Sequence, residues 1–145
     1  MRKFVLLAVS LLLVGCSTFT DRVSQRFSAN APVERVLNHD KPAVYLALQQ
    51  VLEEQGYLVT RAAEAQGIIE ARSRRLPTEQ FGASQQYSFE IRLRSATPGI
   101  TTVEARLREQ TEGDFAAGAT STPLHAHGRY DALFEVLEQR LAGGQ

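Results

Sequence analysis

The only cysteine of the chain, Cys16, ends an apolar run close to the N-terminus. The run Phe4–Val14 is broken only by Ser10 and follows two basic residues, Arg2 and Lys3. It is shorter than the stretch of about 20 apolar residues that crosses a bilayer, and its order of basic, apolar and small residues is that of a secretory signal peptide. A cysteine thiolate is a strong nucleophile, so the role of this cysteine depends on the residues that precede it.

The residues before Cys16 resemble a known processing signal. Leu13-Val14-Gly15-Cys16 is similar to the lipobox of small Gram-negative bacterial lipoproteins. The resemblance implies cleavage of a signal peptide, residues 1–15, and attachment of a diacylglycerol and an N-acyl lipid such as palmitate to Cys16. By that resemblance Cys16 is an attachment point and is neither a catalyst nor half of a disulfide. Two or more acyl chains anchor a protein stably to a membrane. The alternatives are an ordinary export signal with an incidental cysteine, or a buried N-terminal helix.

Ser17, the residue after the cysteine, bears on the location of the protein. In enteric-type lipoproteins an aspartate at this position favours retention in the inner membrane, and other residues permit transfer outward. By that resemblance we expect lipid anchoring at the periplasmic face of the cell outer membrane. The outer leaflet of the inner membrane is the alternative.

Composition limits the domain count and the class of partner. The chain of 145 residues has 16 basic and 16 acidic side chains, so loss of Arg2 and Lys3 with the signal peptide leaves the mature protein with two excess negative charges. This balance is not that of a nucleic-acid-binding protein, and we expect no nucleic-acid partner. The mature chain is long enough for one modest domain.

Three histidines, His39, His125 and His127, are the remaining candidates for metal ligands. Since Pro123 and Gly128 favour a loop around the last two, and no cysteine or well-spaced carboxylate completes a zinc-like set, solvated histidines are the favoured interpretation. The serines form neither a G-x-S-x-G nor an S-x-x-K pattern. We therefore expect no metal, no cofactor besides the lipid on Cys16, and no enzymatic activity.

Arginines occupy alternate positions of the predicted strands, at Arg72, Arg74, Arg92, Arg94, Arg106 and Arg108. Guanidinium groups bind carboxylates and phosphates well, so this face is a candidate docking surface for an acidic partner or an anionic headgroup. The alternative is an ordinary solvated face, balanced by Glu70, Glu90 and Glu104. Phe81 and Phe115, each in a loop rich in small and polar residues, are further candidate contact residues.

The pattern along the chain predicts a lipidated tether over residues 16–39 and a single α/β domain over residues 40–145. An apolar stripe at helical spacing after Asp40 predicts one helix, and a similar stripe over Tyr130–Leu141 predicts a second. The stretch 109–128 is predicted to be a long loop. Four stretches between the helices are typical of strands: 57–62, 67–74, 87–94 and 102–108.

The last two predicted strands form a hairpin that turns at Pro98-Gly99. One register pairs Leu93 with Val103, Ile91 with Ala105 and Phe89 with Leu107. The same register places Arg92 opposite Glu104 and Glu90 opposite Arg106, and opposite charges across a strand pair are stabilising. Both faces therefore favour the same register.

The element order α-β-β-β-β-α predicts an α+β fold, a two-layer sandwich in which two helices pack on one face of a four-stranded antiparallel sheet. In this order the segment Val44–Leu141 resembles the helix-grip domains of Gram-negative lipoproteins such as the C component of the outer-membrane β-barrel assembly machine. That resemblance implies a non-enzymatic binding or scaffolding module with an envelope protein as its partner. The alternative is a periplasmic carrier of lipid or another small ligand in the cleft between helices and sheet.

Overall fold

Two long antiparallel strands, β5 (Ser84–Thr97) and β6 (Ile100–Glu112), form the centre of the sheet. The structure is a computed structural model that describes residues 31–79, 82–113 and 119–144. These residues form two helices and a seven-stranded antiparallel sheet. The predicted α+β class is therefore confirmed. Within the described part of the chain, no helix is long and apolar enough to span a membrane.

The helices and strands belong to one compact unit that begins at Pro32. In chain order they are β1 (Val33–Leu37), α1 (Lys41–Glu54), β2 (Leu58–Ala63), β3 (Ile68–Arg72), β4 (Leu76–Pro77), β5, β6, β7 (Ala119–Leu124) and α2 (Gly128–Gly143). The strands are arranged in the order β1-β6-β5-β3-β2. Further along the hairpin, β4 pairs with β5 and β7 pairs with β6.

The register of the β5–β6 hairpin agrees with the sequence prediction. Phe89 lies opposite Leu107 and Leu93 lies opposite Val103. The chain turns at Pro98-Gly99, where Gly99 has a φ of 78° that glycine adopts without steric cost. Because successive side chains of a strand point to opposite faces, this register separates an apolar face from a charged face.

The sheet is larger than the four strands predicted, because three further segments pair with the hairpin. β1 lies within the stretch 16–39 that was predicted to be a tether, and it pairs with β6. β7 lies within the predicted loop 109–128 and pairs with β6 next to β1. Both segments form backbone hydrogen bonds with β6. Backbone groups must be paired in this way, but the pattern of side chains in the sequence does not show which segments pair them. The prediction of a four-stranded sheet was therefore wrong.

Both helices pack on the apolar face of the sheet and close a single core. The core positions with no more than 1% of their surface exposed are Val44, Leu48, Val51, Leu52, Leu133, Phe134 and Leu137 on the helices, and Ile69, Ala71, Phe89, Ile91, Val103, Ala105 and Leu107 on the sheet. Each large apolar side chain buried in this way contributes about 1.5–3 kcal/mol to stability. The helices pack on one face, as predicted, and no other helix or strand of the described residues covers the opposite face of the sheet.

Both ends of α1 are held by specific backbone contacts. Asp40 is the N-cap residue, but its carboxylate accepts a hydrogen bond from the Gly99 amide, at 2.9 Å, instead of from the helix. This bond ties the start of α1 to the β5–β6 turn. At the other end the Tyr57 amide donates to the Leu52 carbonyl, and Gly56 has the left-handed φ of 81° expected of a glycine cap.

Tyr130 of α2 connects the helix to two strands. Its buried hydroxyl donates to the Leu124 carbonyl at 2.8 Å and accepts from the Leu107 amide at 2.7 Å. Leu107 and Leu124 are paired residues of β6 and β7, so the hydroxyl bridges the two strands. Burial raises the pKa of the Tyr130 phenol, while the hydrogen bond from Leu107 and the charge of Arg106 act in the opposite direction.

Replacing this bridging hydroxyl should destabilise the fold. Tyr130→Phe keeps the ring in the core but leaves the Leu107 amide and the Leu124 carbonyl without their partner. We expect the free energy of unfolding, measured by urea denaturation, to fall by about 1–3 kcal/mol. Tyr45→Phe is the matched control, because among the described residues the Tyr45 hydroxyl bridges no pair of strands, and its loss should cost less. Equal losses in the two variants would contradict the bridging role.

Candidate functional site

The sheet face opposite the helices, the outer sheet face, is open and contains a depression of about 260 Å³. Its lining comes from alternate positions of neighbouring strands, since every second side chain points to this side. The polar side chains around the depression are Thr60, Glu70, Arg72, Ser88, Glu90, Arg106, Arg108, Gln110 and Ser121. A polar, concave and uncovered surface of this kind is the candidate binding site.

The structure brings most of the predicted arginines together on the outer sheet face. They are Arg72 on β3, Arg92 and Arg94 on β5, and Arg106 and Arg108 on β6. Arg74 follows the end of β3, is exposed, and does not line the depression. The other predicted site residues, Cys16, Phe81 and Phe115, lie outside the described residues.

Several of these arginines form ion pairs. Glu90 contacts Arg92 at 3.1 Å and Arg106, on the neighbouring strand, at 3.8 Å. The predicted pair of Glu90 with Arg106 is thus present. Arg92 lies opposite Glu104 as predicted, but its guanidinium contacts Glu90 of its own strand.

Glu104 is a buried carboxylate on this face, with 6% of its surface exposed. The Arg94 guanidinium, which is largely exposed, reaches it diagonally across the hairpin at 2.9 Å. On the other side, β1 places Glu34 directly opposite Glu104, and like charges in such positions are destabilising. Arg94 therefore provides the positive charge that offsets a buried and crowded carboxylate.

Arg72 and Arg108 differ from these neighbours, because neither has a hydrogen-bond or ion-pair partner among the described residues. Both are exposed, and both lie in one row across three strands. Arg72 is opposite Ser88, and Ser88 is opposite Arg108. With neighbouring strands about 4.8 Å apart, the Cα atoms of the two arginines are about 10 Å apart. We call Arg72, Ser88 and Arg108 the arginine–serine row.

Sequence reasoning missed the neutral hydrogen-bonding groups of the depression. Gln110 and Ser121 are paired residues of β6 and β7, and β7 was predicted to be a loop. Thr60 lies at the irregularity in the β2–β3 pairing. None of these residues carries a charge or belongs to a recognisable motif. The pairing of β7 was needed to find Gln110 and Ser121, and the irregular β2–β3 pairing was needed to find Thr60.

A second polar cluster, at the start of α2, connects this helix to β5 and to the segment before β2. The Arg129 guanidinium lies 4.0 Å from the centre of the Tyr87 ring and donates to the Tyr57 hydroxyl at 3.2 Å. His127, one of the candidate metal ligands, is the N-cap residue of α2, and its Nδ1 accepts from the Arg129 amide at 3.2 Å. Over residues 31–79, 82–113 and 119–144, no three His, Cys, Asp or Glu side chains are grouped so that they could hold a metal ion.

Comparisons with known proteins add little to this geometry. No family model matches the chain, and no curated protein matches it in sequence. A solved structure of the adenylate sensor from AMP-activated protein kinase, in complex with 5-aminoimidazole-4-carboxamide 1-beta-D-ribofuranotide, is similar at a TM-score of 0.43 and 17% identity, over 79% of this chain and 98% of that one. A TM-score this low assigns neither a shared fold nor a shared ligand.

The pairing of Arg94 with the buried Glu104 can be tested by stability. Arg94→Ala leaves the carboxylate without its partner, and we expect the free energy of unfolding to fall by about 1–3 kcal/mol. Adding Glu104→Gln to that variant should restore part of the loss, because the buried charge is then removed. Arg92→Ala is the control: Glu90 is more exposed and keeps Arg106, so urea denaturation should detect a change of no more than about 0.5 kcal/mol. A control variant that loses as much as Arg94→Ala would refute the special role of Glu104.

Proposed function

We propose that this chain is a lipoprotein of the outer membrane whose domain is a non-enzymatic binding module for another protein of the cell envelope. The observation that carries the proposal is the outer sheet face, which is open, polar and concave. On it Arg72 and Arg108 have no partner within the described part of the chain. Guanidinium groups that lack a partner among the described residues can bind an acidic partner, because they form paired, charge-assisted hydrogen bonds with anionic oxygens.

The packed core favours binding at the surface over transport inside the domain. Side chains between the helices and the sheet, such as Leu48, Leu137 and Ile91, have no exposed surface. A cavity large enough for a water molecule would leave accessible surface on the side chains that line it. A carrier of lipid or small ligands in the helix–sheet cleft would therefore have to open this core. Binding at the outer sheet face requires no such change.

The proposed location of the protein in the cell depends on the N-terminal sequence, which lies outside the described residues. The match of Leu13-Val14-Gly15-Cys16 to a lipobox supports lipid attachment at Cys16, and Ser17 supports transfer to the outer membrane. Anchoring at the periplasmic face would place the domain among envelope proteins. The slight negative charge of the mature chain supports the expectation of no nucleic-acid partner.

The anchor can be tested by intact-mass analysis of the protein from membranes. We expect the mature chain to begin at Cys16 and to carry the mass of a diacylglycerol and an N-linked acyl chain. Cys16→Ala should keep residues 1–15 and carry no lipid. In a matched experiment, Ser17→Asp should leave the lipid in place but move the protein to the inner-membrane fraction. An unmodified Cys16 in the wild-type chain would rule out the lipoprotein assignment.

The binding surface can be tested by site-specific photocrosslinking in cells. A photoreactive residue at Gln110, on the outer sheet face, should give a discrete adduct with one envelope protein. The same residue at Gln139, on the exposed side of α2, should not give that adduct. Charge reversal by Arg72→Glu and Arg108→Glu should abolish the Gln110 adduct, because the proposed partner is acidic. An adduct that survives both reversals, or the absence of any adduct at Gln110, would contradict the proposal.

A further inference from the structure

Charge is distributed unevenly over the depression of the outer sheet face. The carboxylate of Glu70 contacts Arg61 at 3.0 Å, and that of Glu90 contacts both Arg92 and Arg106. The acidic part of the depression is therefore neutralised by arginines of this chain. Within the described part of the chain the arginine–serine row has no such compensation, and it presents two positive charges on either side of a hydroxyl group.

The row has the geometry of a site for a small anion. Its two arginines extend from strands on both sides of Ser88, so flexible side chains about 10 Å apart at their Cα atoms can converge above the hydroxyl. Gln110 and Ser121 add neutral hydrogen-bonding groups beside the row. The depression, at about 260 Å³, is smaller than the 300–1,000 Å³ typical of pockets for drug-sized ligands. A depression of this size accommodates one compact anionic group.

We infer that the arginine–serine row binds the phosphate group of a phosphate monoester, carried either by a lipid headgroup or by a soluble compound. A carboxylate has two oxygens, and a single guanidinium fork pairs with both. A phosphate monoester offers three acceptor oxygens and close to two negative charges at neutral pH, which matches two guanidinium groups and one hydroxyl. This inference rests on the proposed role of the outer sheet face as a binding surface, and it names one chemical group bound there.

Titration of the full chain, purified from membranes in a maltoside detergent that contains no phosphate, tests the inference. The probes are inorganic phosphate and a water-soluble short-chain phosphatidic acid, with short-chain phosphatidylcholine as the control lipid, and binding of each is followed by calorimetry. Arg72→Gln and Arg108→Gln should each weaken binding about tenfold, which is the usual effect of losing one charge-assisted hydrogen bond. Ser88→Ala should have a smaller effect. Arg75→Gln removes the same charge from an exposed arginine outside the depression, which pairs with Glu112, and should bind like the wild type.

Each outcome either supports or overturns the inference that the arginine–serine row binds phosphate. Saturable binding of inorganic phosphate that the two row variants weaken and Arg75→Gln does not would support a site for soluble phosphate monoesters. The same pattern with the short-chain phosphatidic acid alone, and no binding of the phosphatidylcholine control, would support a lipid headgroup as the source. No saturable binding to either probe, or equal weakening by Arg75→Gln, would overturn the inference. These measurements use the purified chain, whereas the crosslinking test detects a protein partner in cells. A negative result in one of the two tests therefore does not decide the other.

Discussion

The alternation of side chains along the β5–β6 hairpin is the constraint on which the rest of the structure depends. A slip of β5 by one residue relative to β6 would turn Phe89, Ile91 and Leu93 outward and would bury charged residues of β5 in their place. The observed register keeps those residues under the two helices, and it also sets which polar residues share a row on the outer sheet face. Core and candidate site therefore follow from one register, because they are the two sides of the same strands.

That register could be predicted from the sequence because the apolar pattern, the opposite charges and the Pro98-Gly99 turn all favour it. The edge strands lack such agreement. In β1 the inward-facing position 35 holds an arginine, whose guanidinium lies 5.2 Å from the centre of the Phe134 ring and 3.6 Å from Glu138. A charged residue at that position hides the apolar alternation. β7 consists largely of small polar residues with a proline, so only its backbone pairing with the distant β6 defines it as a strand.

The candidate site could be predicted only in part, for a similar reason. Alternation predicted which face the arginines share, but it did not predict which of them lack a partner among residues 31–79, 82–113 and 119–144. Arg92 contacts a carboxylate of its own strand, and Arg94 reaches diagonally to Glu104; such choices depend on side-chain conformations that spacing does not fix. The proposed attachment site at Cys16 is the opposite case. A processing signal is a property of consecutive residues, so the sequence alone carries that hypothesis.

Stability alone does not explain the order of charges across the outer sheet face. Glu70 lies opposite Glu90, which has Arg106 on its other side, and the next row places two arginines around Ser88. Only the first of these rows therefore contains opposite charges, and an acidic residue in the second would stabilise the sheet by a few tenths of a kcal/mol or more. Other arginines of the chain offset the acidic row, but no described residue offsets the arginine–serine row. A bound anion would supply the missing charge, and since a ligand of the folded state alone stabilises that state, the two arginines would couple binding to folding.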